Sequence, residues 1–381
     1  MAGHGEPALA VDPRHPGRLL GAAMFLPRPR TPGLRPGAFA SRDGGRTWHD
    51  FGPLPLPAGD VRGDDVSVAF AGRTGLVAGD ASAAGDEGGR VVVWRTTDDG
   101  RTFAPPVVVY AAAGRSTDHP SLSVVTAPSG RPVVVIAWQI RGAVLFSRSA
   151  DDGRTFGPAH RLGSSGGAPA TPVTAPGPRG QVSVLYQSGL LTTATNVVTS
   201  TDAGAHFGPA YRVPTGAGHA AAGPEFAGTM PAAAADPRTG RLYVALARAP
   251  AAHRPRRITL YAGDTAGRTW RRPVTVDPGG HADQFQPALA VDRAGSVHVS
   301  YLTYAHGRVT PRLAASVDHA AAFAHPRDLT RPFDPDCGVV GAFKISPWIG
   351  DYQALATAPH TVYAAWTDAG TRTTQIAVSR R

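Results

Sequence analysis

The octet "SRDGGRTW" (41–48) returns along the chain in progressively looser copies. It reappears as "TTDDGRTF" (96–103), "SADDGRTF" (149–156) and "STDAGAHF" (200–207). Two weaker versions follow: "GDTAGRTW" (263–270), with Thr265 where Asp is expected, and "SVDHAAAF" (316–323), with Ala320 in place of Gly. The pattern is a hydroxyl residue, an Asp two positions on, a Gly two after that, and an aromatic at the end. These residue types make a tight turn: the hydroxyl and carboxylate take up backbone N–H groups, and Gly supplies the φ > 0 position. The aromatic plugs between strands. A catalytic group is needed once, whereas a turn is needed once per structural unit. The repetition therefore marks Asp43, Asp98, Asp151 and Asp202 as structural.

A second motif runs out of phase with the octet. It is a short strand, often opened by Pro: "EPALAVDP" from Glu6, "DVSVAFAG" from Asp65, "HPSLSVVT" from His119 and "APATPVTA" from Ala168. It continues as "MPAAAADP" from Met230, "QPALAVDR" from Gln286 and "YQALATAP" from Tyr352. Each is followed by a turn and a β-rich strand such as "PVVVIAWQ" or "SVHVSYLT", then a third strand, the octet and a short fourth strand. Units of this size are four-stranded antiparallel blades, and blades stack radially into a β-propeller. The expected class is all-β, a single propeller domain over residues 1–381. Seven first strands against six octets predict seven blades, the last one short or completed by the first few residues; six blades is the alternative. One stretch breaks the rhythm, "RPFDPDCGVVGAFKISPWIG" (331–350). It reads either as a loop over a site or as a surface insertion packing Phe343 and Trp348.

Composition limits the function classes. The 381 residues are 42% hydrophobic, enough for a sizeable core, and 46 Gly with 36 Pro are the punctuation of many short strands. No apolar run approaches the roughly 20 residues of a membrane span. The first residues lack the pattern of a secretory signal, which leaves the cytoplasm or a secreted protein with an incomplete start. Cys337 is the single cysteine, so no intramolecular disulfide forms. The formal charge of +10 is almost all arginine. Those arginines are scattered without interleaved aromatics, which argues against a nucleic-acid surface. No phosphate loop, zinc spacing or Gly-x-Ser-x-Gly elbow is present, and no cofactor is expected. A monomer is expected.

The octets match the Asp-box, or BNR, repeat, and nearly the whole chain resembles the sialidase-like propeller superfamily. The resemblance implies that the octet joins strands three and four of each blade, on the face opposite an active site. It also implies a glycan substrate and a glycosidic bond hydrolysed in the manner of an exo-α-sialidase, in a family whose nucleophile is a Tyr rather than a carboxylate. "DYQALAT" sets Tyr352 in a context like that tyrosine's, with Asp351 beside it. The family opens its first blade with Arg-Ile-Pro, one of three arginines that grip a carboxylate. Here the matching stretch is "GEPAL", with Gly5 in the arginine's place. Arg62, Arg115 and Arg148 are the nearest candidates for the others, and the triad is not evident.

In a propeller the first strand of each blade lines the central channel, so the residues opening those strands are the candidate site. They are Glu6, Asp64, Asp65, Asp118, His119, Thr229, Gln284, Gln286, Asp351 and Tyr352. Asp65 or Asp118 is the candidate acid for the leaving oxygen and His119 an alternative acid or base. Glu6, Asp64, Gln284 and Gln286 are candidates for substrate hydroxyls. "TDHP" with the acidic pair at Asp64 is a weaker candidate for a divalent metal, and no metal is expected. Three functions stay open: a glycan hydrolase, a polysaccharide lyase on the same architecture, and a non-catalytic propeller binding a glycan or protein.

Overall fold

The computed structural model describes residues 3–26, 33–84, 88–164, 166, 170–188, 194–216, 230–279, 282–336, 348–370 and 373–381. Thr229, Cys337, Phe343, Lys344 and most of the 331–350 insertion lie outside the described residues. The described residues contain no α-helix. Six four-stranded sheets and one three-stranded sheet account for all 27 strands, each sheet a simple antiparallel meander. The chain is a seven-bladed β-propeller, which sets the six-blade alternative aside.

By contacts the chain falls into two compact units. Residues 8–212 form one, and residues 213–381 with residues 1–7 form the other. In the first unit, blade two runs through Val66–Ala71, Thr74–Ser82, Gly88–Thr96 and Val107–Ala113. Blade three runs through Thr117–Thr126, Pro132–Ile140, Ala143–Ser149 and His160–Ser164. Second strands such as Pro132–Ile140 are buried almost throughout, because neighbouring blades cover both of their faces. This is why they read as continuous apolar runs rather than alternating ones. Leu20, Val77 and Trp94 fill the space between blades one and two. Leu76, Val134 and Trp138 do the same between blades two and three. Each such side chain contributes about 1.5–3 kcal/mol on burial.

In the second unit, Tyr243, Val299 and Tyr301 pack between blades five and six, and Phe285, Leu302 and Trp366 between blades six and seven. Among the described residues blade seven has three strands, Ala354–Ala358, Thr361–Asp368 and Gln375–Arg380. His4 N–H donates to the Thr374 carbonyl beside it at 2.9 Å.

All six octets occupy the turn between strands three and four of their blades. In the first, Gly45 N–H donates to Ser41 Oγ (2.9 Å), Thr47 N–H to Asp43 Oδ1 (2.9 Å) and Thr47 Oγ1 to Asp43 Oδ2 (2.6 Å). The same bonds recur around Asp98 and Asp151. At Asp202 the ring of His206 takes the Thr hydroxyl's place at 2.7 Å. In the fifth octet the missing carboxylate is supplied one residue early, as Asp264 accepts from Thr269 N–H (3.1 Å) and Thr269 Oγ1 (2.9 Å). In the sixth, Ala320 takes up the glycine conformation at φ 66°.

Candidate functional site

The opening position of the first strand repeats one backbone feature. Glu6 (φ 55°), Asp65 (37°), His119 (50°), Thr171 (38°) and Gln286 (47°) all lie in the left-handed region, in five of the seven blades. None is a glycine, and a non-glycine residue there costs about 1–2 kcal/mol. The strand pairing slips at this point: the register shifts opposite Asp118–Ser121 and between Phe285 and Ala288. The bulge turns the opening side chain out of the pleat. Strain held at equivalent points of several blades is a reason to look there for function.

Within residues 8–212 the openings of blades two and three bring four carboxylates and one imidazole together. His119 Nδ1 lies 3.3 Å from Asp65 Oδ1, and Nε2 lies 3.5 Å from Asp118 Oδ1. His119 N–H also donates to Asp65 Oδ2 at 3.2 Å. Asp65 and Asp118 share a hydrogen bond. Gln139 Nε2 donates to Asp118 Oδ2, and Gln139 Oε1 accepts from Ala170 N–H, which orients that carboxyl. Asp64 is held by Arg62 at 3.0 Å. Asp80, 3% exposed, accepts from Thr117 Oγ1 at 2.6 Å.

The four carboxyls are not equivalent. Burial works to raise Asp65, but His119 and the bonds from it and from Asp118 hold that carboxyl well below the usual range. Burial, reinforced by the neighbouring Asp65 charge, pushes Asp118 up to about 7 although 41% of its side chain is exposed. Burial and then Asp65 also raise Asp64 and, further, Asp80. The set thus pairs an accessible Asp118, its carboxyl raised into the neutral range, with an enclosed Asp65 held in the ionised form, with imidazole beside both. That arrangement can donate a proton at neutral pH. One oxygen of each lies within 4.8 Å of the other, closer than the roughly 5–5.5 Å between the two working carboxyls of a retaining glycosidase. Asp65 and Asp118 are therefore a hydrogen-bonded pair, without the separation of an acid and a distinct nucleophile.

In the other unit, Glu6, Gln286, Asp351 and Gln353 meet around Gly350. Glu6 Oε1 accepts from Asp351 N–H at 3.1 Å, and Glu6 N–H donates to Thr367 Oγ1 at 3.2 Å. Gln286 Nε2 donates to the Gly350 carbonyl, and Gln353 Nε2 to the Gln286 carbonyl at 2.6 Å. Glu6 and Gln286 are 4% and 1% exposed, so their side chains brace the backbone carrying Asp351 and Tyr352, which are partly buried. Gln284 is placed differently. It is fully buried, accepts from Ile258 N–H at 2.8 Å and donates towards Asp277, so its amide ties blades five and six together and no part of it reaches solvent.

At Gly5 the space that a side chain would need is filled: a Cβ there would stand 2.5 Å from the Trp348 ring. Arg115 and Arg148 are exposed, and Arg62 is committed to Asp64. Sequence reading missed Asp80, Gln139, Thr171 and Gln353. Asp80 and Gln139 had a usable signal, a lone polar residue in an apolar second strand, "TGLVAGDAS" and "PVVVIAWQI".

No family model matches the chain, and no curated protein matches it by sequence. Solved structures do match. The intramolecular trans-sialidase from Ruminococcus gnavus is 12% identical with a TM-score of 0.56, over 79% of this chain and 90% of that one. An α-L-arabinofuranosidase from Fusarium graminearum is 13% identical (TM-score 0.52; 78% and 88%). A protein of unknown function from Dyadobacter fermentans is 17% identical (TM-score 0.52; 82% and 94%). The likeness is one of fold.

Proposed function

We propose that this chain is a glycan-acting hydrolase, a single propeller domain over residues 1–381, with Asp118 as the proton donor to the leaving oxygen. The observation that carries the reading is the Asp65–His119–Asp118 group, built on two strained strand openings with its outermost carboxyl accessible. Asp65 orients His119 and shares a proton with Asp118, a positioning role. Because that pair is too close to supply a separate nucleophile, the reading takes Tyr352 for that part, with Asp351 beside it, on the strength of its sequence setting. The Asp-box character of the octets and the sialidase and arabinofuranosidase folds support carbohydrate as the substrate class. The filled position at Gly5 weighs against a three-arginine clamp, so a neutral or differently held glycan is favoured over sialic acid.

The test is a screen of the purified protein on chromogenic glycosides, including a sialoside and an α-L-arabinofuranoside. Uronic-acid polymers are included, with detection of the unsaturated product. Release of the chromophore, lost in Tyr352→Phe with folding intact, supports the hydrolase reading. Full activity in that variant removes Tyr352 from it. Unsaturated product replaces it with a lyase. Silence on every substrate favours a binding propeller.

A further inference from the structure

The hydrolase reading leaves one buried acid without a task. Asp80 lies on the second strand of blade two, and Asp80 N–H donates to the Asp64 carbonyl at 3.0 Å. The strand can press this close because residue 79 is glycine: a Cβ there would stand 3.0 Å from the Asp65 carbonyl oxygen and 3.3 Å from that of Asp64. The approach sets one carboxylate oxygen from each of Asp64, Asp65 and Asp80 within 4.8 Å of the others. Asp80 is 3% exposed; its Oδ1 accepts from Thr117, and its Oδ2 has no hydrogen-bond partner among the described residues. A buried carboxylate oxygen left unpartnered is costly, and such groups are ordinarily paired or metal-bound.

We propose that Asp64, Asp65 and Asp80 bind a single Ca²⁺ ion at the opening of blade two. The donors are all hard oxygens. Oxygens within 4.8 Å of one another can share a Ca²⁺ ion with bonds of about 2.3–2.6 Å in its adaptable many-oxygen shell, whereas Mg²⁺ ordinarily takes one or two carboxylates and keeps several waters. The one nitrogen donor nearby, His119, belongs with Asp65 and Asp118 and not with this triad. The ion would pin the strained backbone at Asp65 between two strands.

The experiment uses the full chain stripped with a chelator, then titrated calorimetrically with Ca²⁺, Mg²⁺ and Zn²⁺ and melted with and without each ion. The expected result is one Ca²⁺ per chain, tighter than Mg²⁺ or Zn²⁺, with a rise in Tm. Asp80→Asn keeps the shape and removes the charge. It is expected to fold and to weaken Ca²⁺ by at least about tenfold. Asp64→Asn, at the more exposed ligand, is the second variant should the first not fold. No heat and no Tm change at millimolar Ca²⁺ would overturn the proposal. So would Ca²⁺ binding unaltered in a folded variant, or a preference for Zn²⁺. These readouts need no substrate, so a failed glycosidase screen leaves them standing.

Discussion

The octet turns and the strand openings are both repeated, but they repeat different things. At the octets the side chains recur and so do their bonds: Asp43, Asp98 and Asp151 each accept the same N–H groups and the same Thr hydroxyl. At the openings the backbone recurs while the side chain changes from Glu to Asp, His, Thr and Gln. A structural device needs the same group every time. A binding or catalytic surface assembled from several blades needs a different group from each, held in the same place. The contrast separates scaffold from site.

The sharpest way to break this comparison is to exchange an aspartate in each region. Asp118→Asn at the blade-three opening is expected to lower kcat/KM on the active glycoside by about 10²–10⁴-fold, the usual contribution of a general acid. Its Tm should stay near the parent's, because Gln139 can still bond an amide. Asp151→Asn in the octet is expected to leave kcat/KM unchanged. A loss of activity in the octet variant, with none at Asp118, would reverse the roles of the two regions.

Acid should expose the octets as a group. Slight burial works against ionisation at Asp98, Asp151 and Asp202, but bonds from Thr102, Thr155 and His206, with backbone N–H groups, bring all three down to about 2. An unfolded aspartate titrates near 3.9, so the native chain binds fewer protons. Their stabilisation is complete above that value and is lost as pH falls through about 2. Melting curves taken from about pH 5 to pH 2 should show a falling Tm, and a variant carrying Asn at all three positions should fall less steeply. An equal slope would mean that the turns contribute nothing through their charge.

One turn alone is a smaller effect. Asp151→Ala removes acceptors for Arg154 N–H, Thr155 N–H and Thr155 Oγ1. By analogy with a lost helix N-cap, it should cost about 1–2 kcal/mol in denaturant unfolding, with the m-value unchanged.

The fold was legible because its information is local. A turn of eight residues and a strand of eight are each readable in a window, and their alternation counts the blades. The site was legible only as a set of positions. Residues opening the first strands can be named by counting, but whether a given side chain faces solvent or the sheet depends on a bulge that shifts the alternation by one. That is how Gln284, two positions before the bulged Gln286, reads as a surface residue and is instead buried against Ile258. Asp80 and Gln139 escaped for a related reason: they reach the site from second strands, and only tertiary packing places a second-strand residue beside a first-strand opening.

The sixth octet offers the finest test, because there the recurring backbone and the side chain disagree. Ala320 holds φ 66° where the other turns place glycine, and its N–H still donates to Ser316 Oγ at 2.9 Å. The turn is kept and the strain is accepted. Ala320→Gly removes a left-handed penalty of about 1–2 kcal/mol, offset by the greater freedom of glycine in the unfolded chain, about 0.5–1 kcal/mol. A net gain of about 0.5–1 kcal/mol in denaturant unfolding is expected, with the octet's bonds intact. The reverse exchange, Gly153→Ala in the third octet, should lose a similar amount or more, since its Cβ would come within 3.1 Å of Leu76. If both exchanges prove neutral, the left-handed turn is not under strain, and the left-handed strand openings at Asp65 and His119 are no sign of a site.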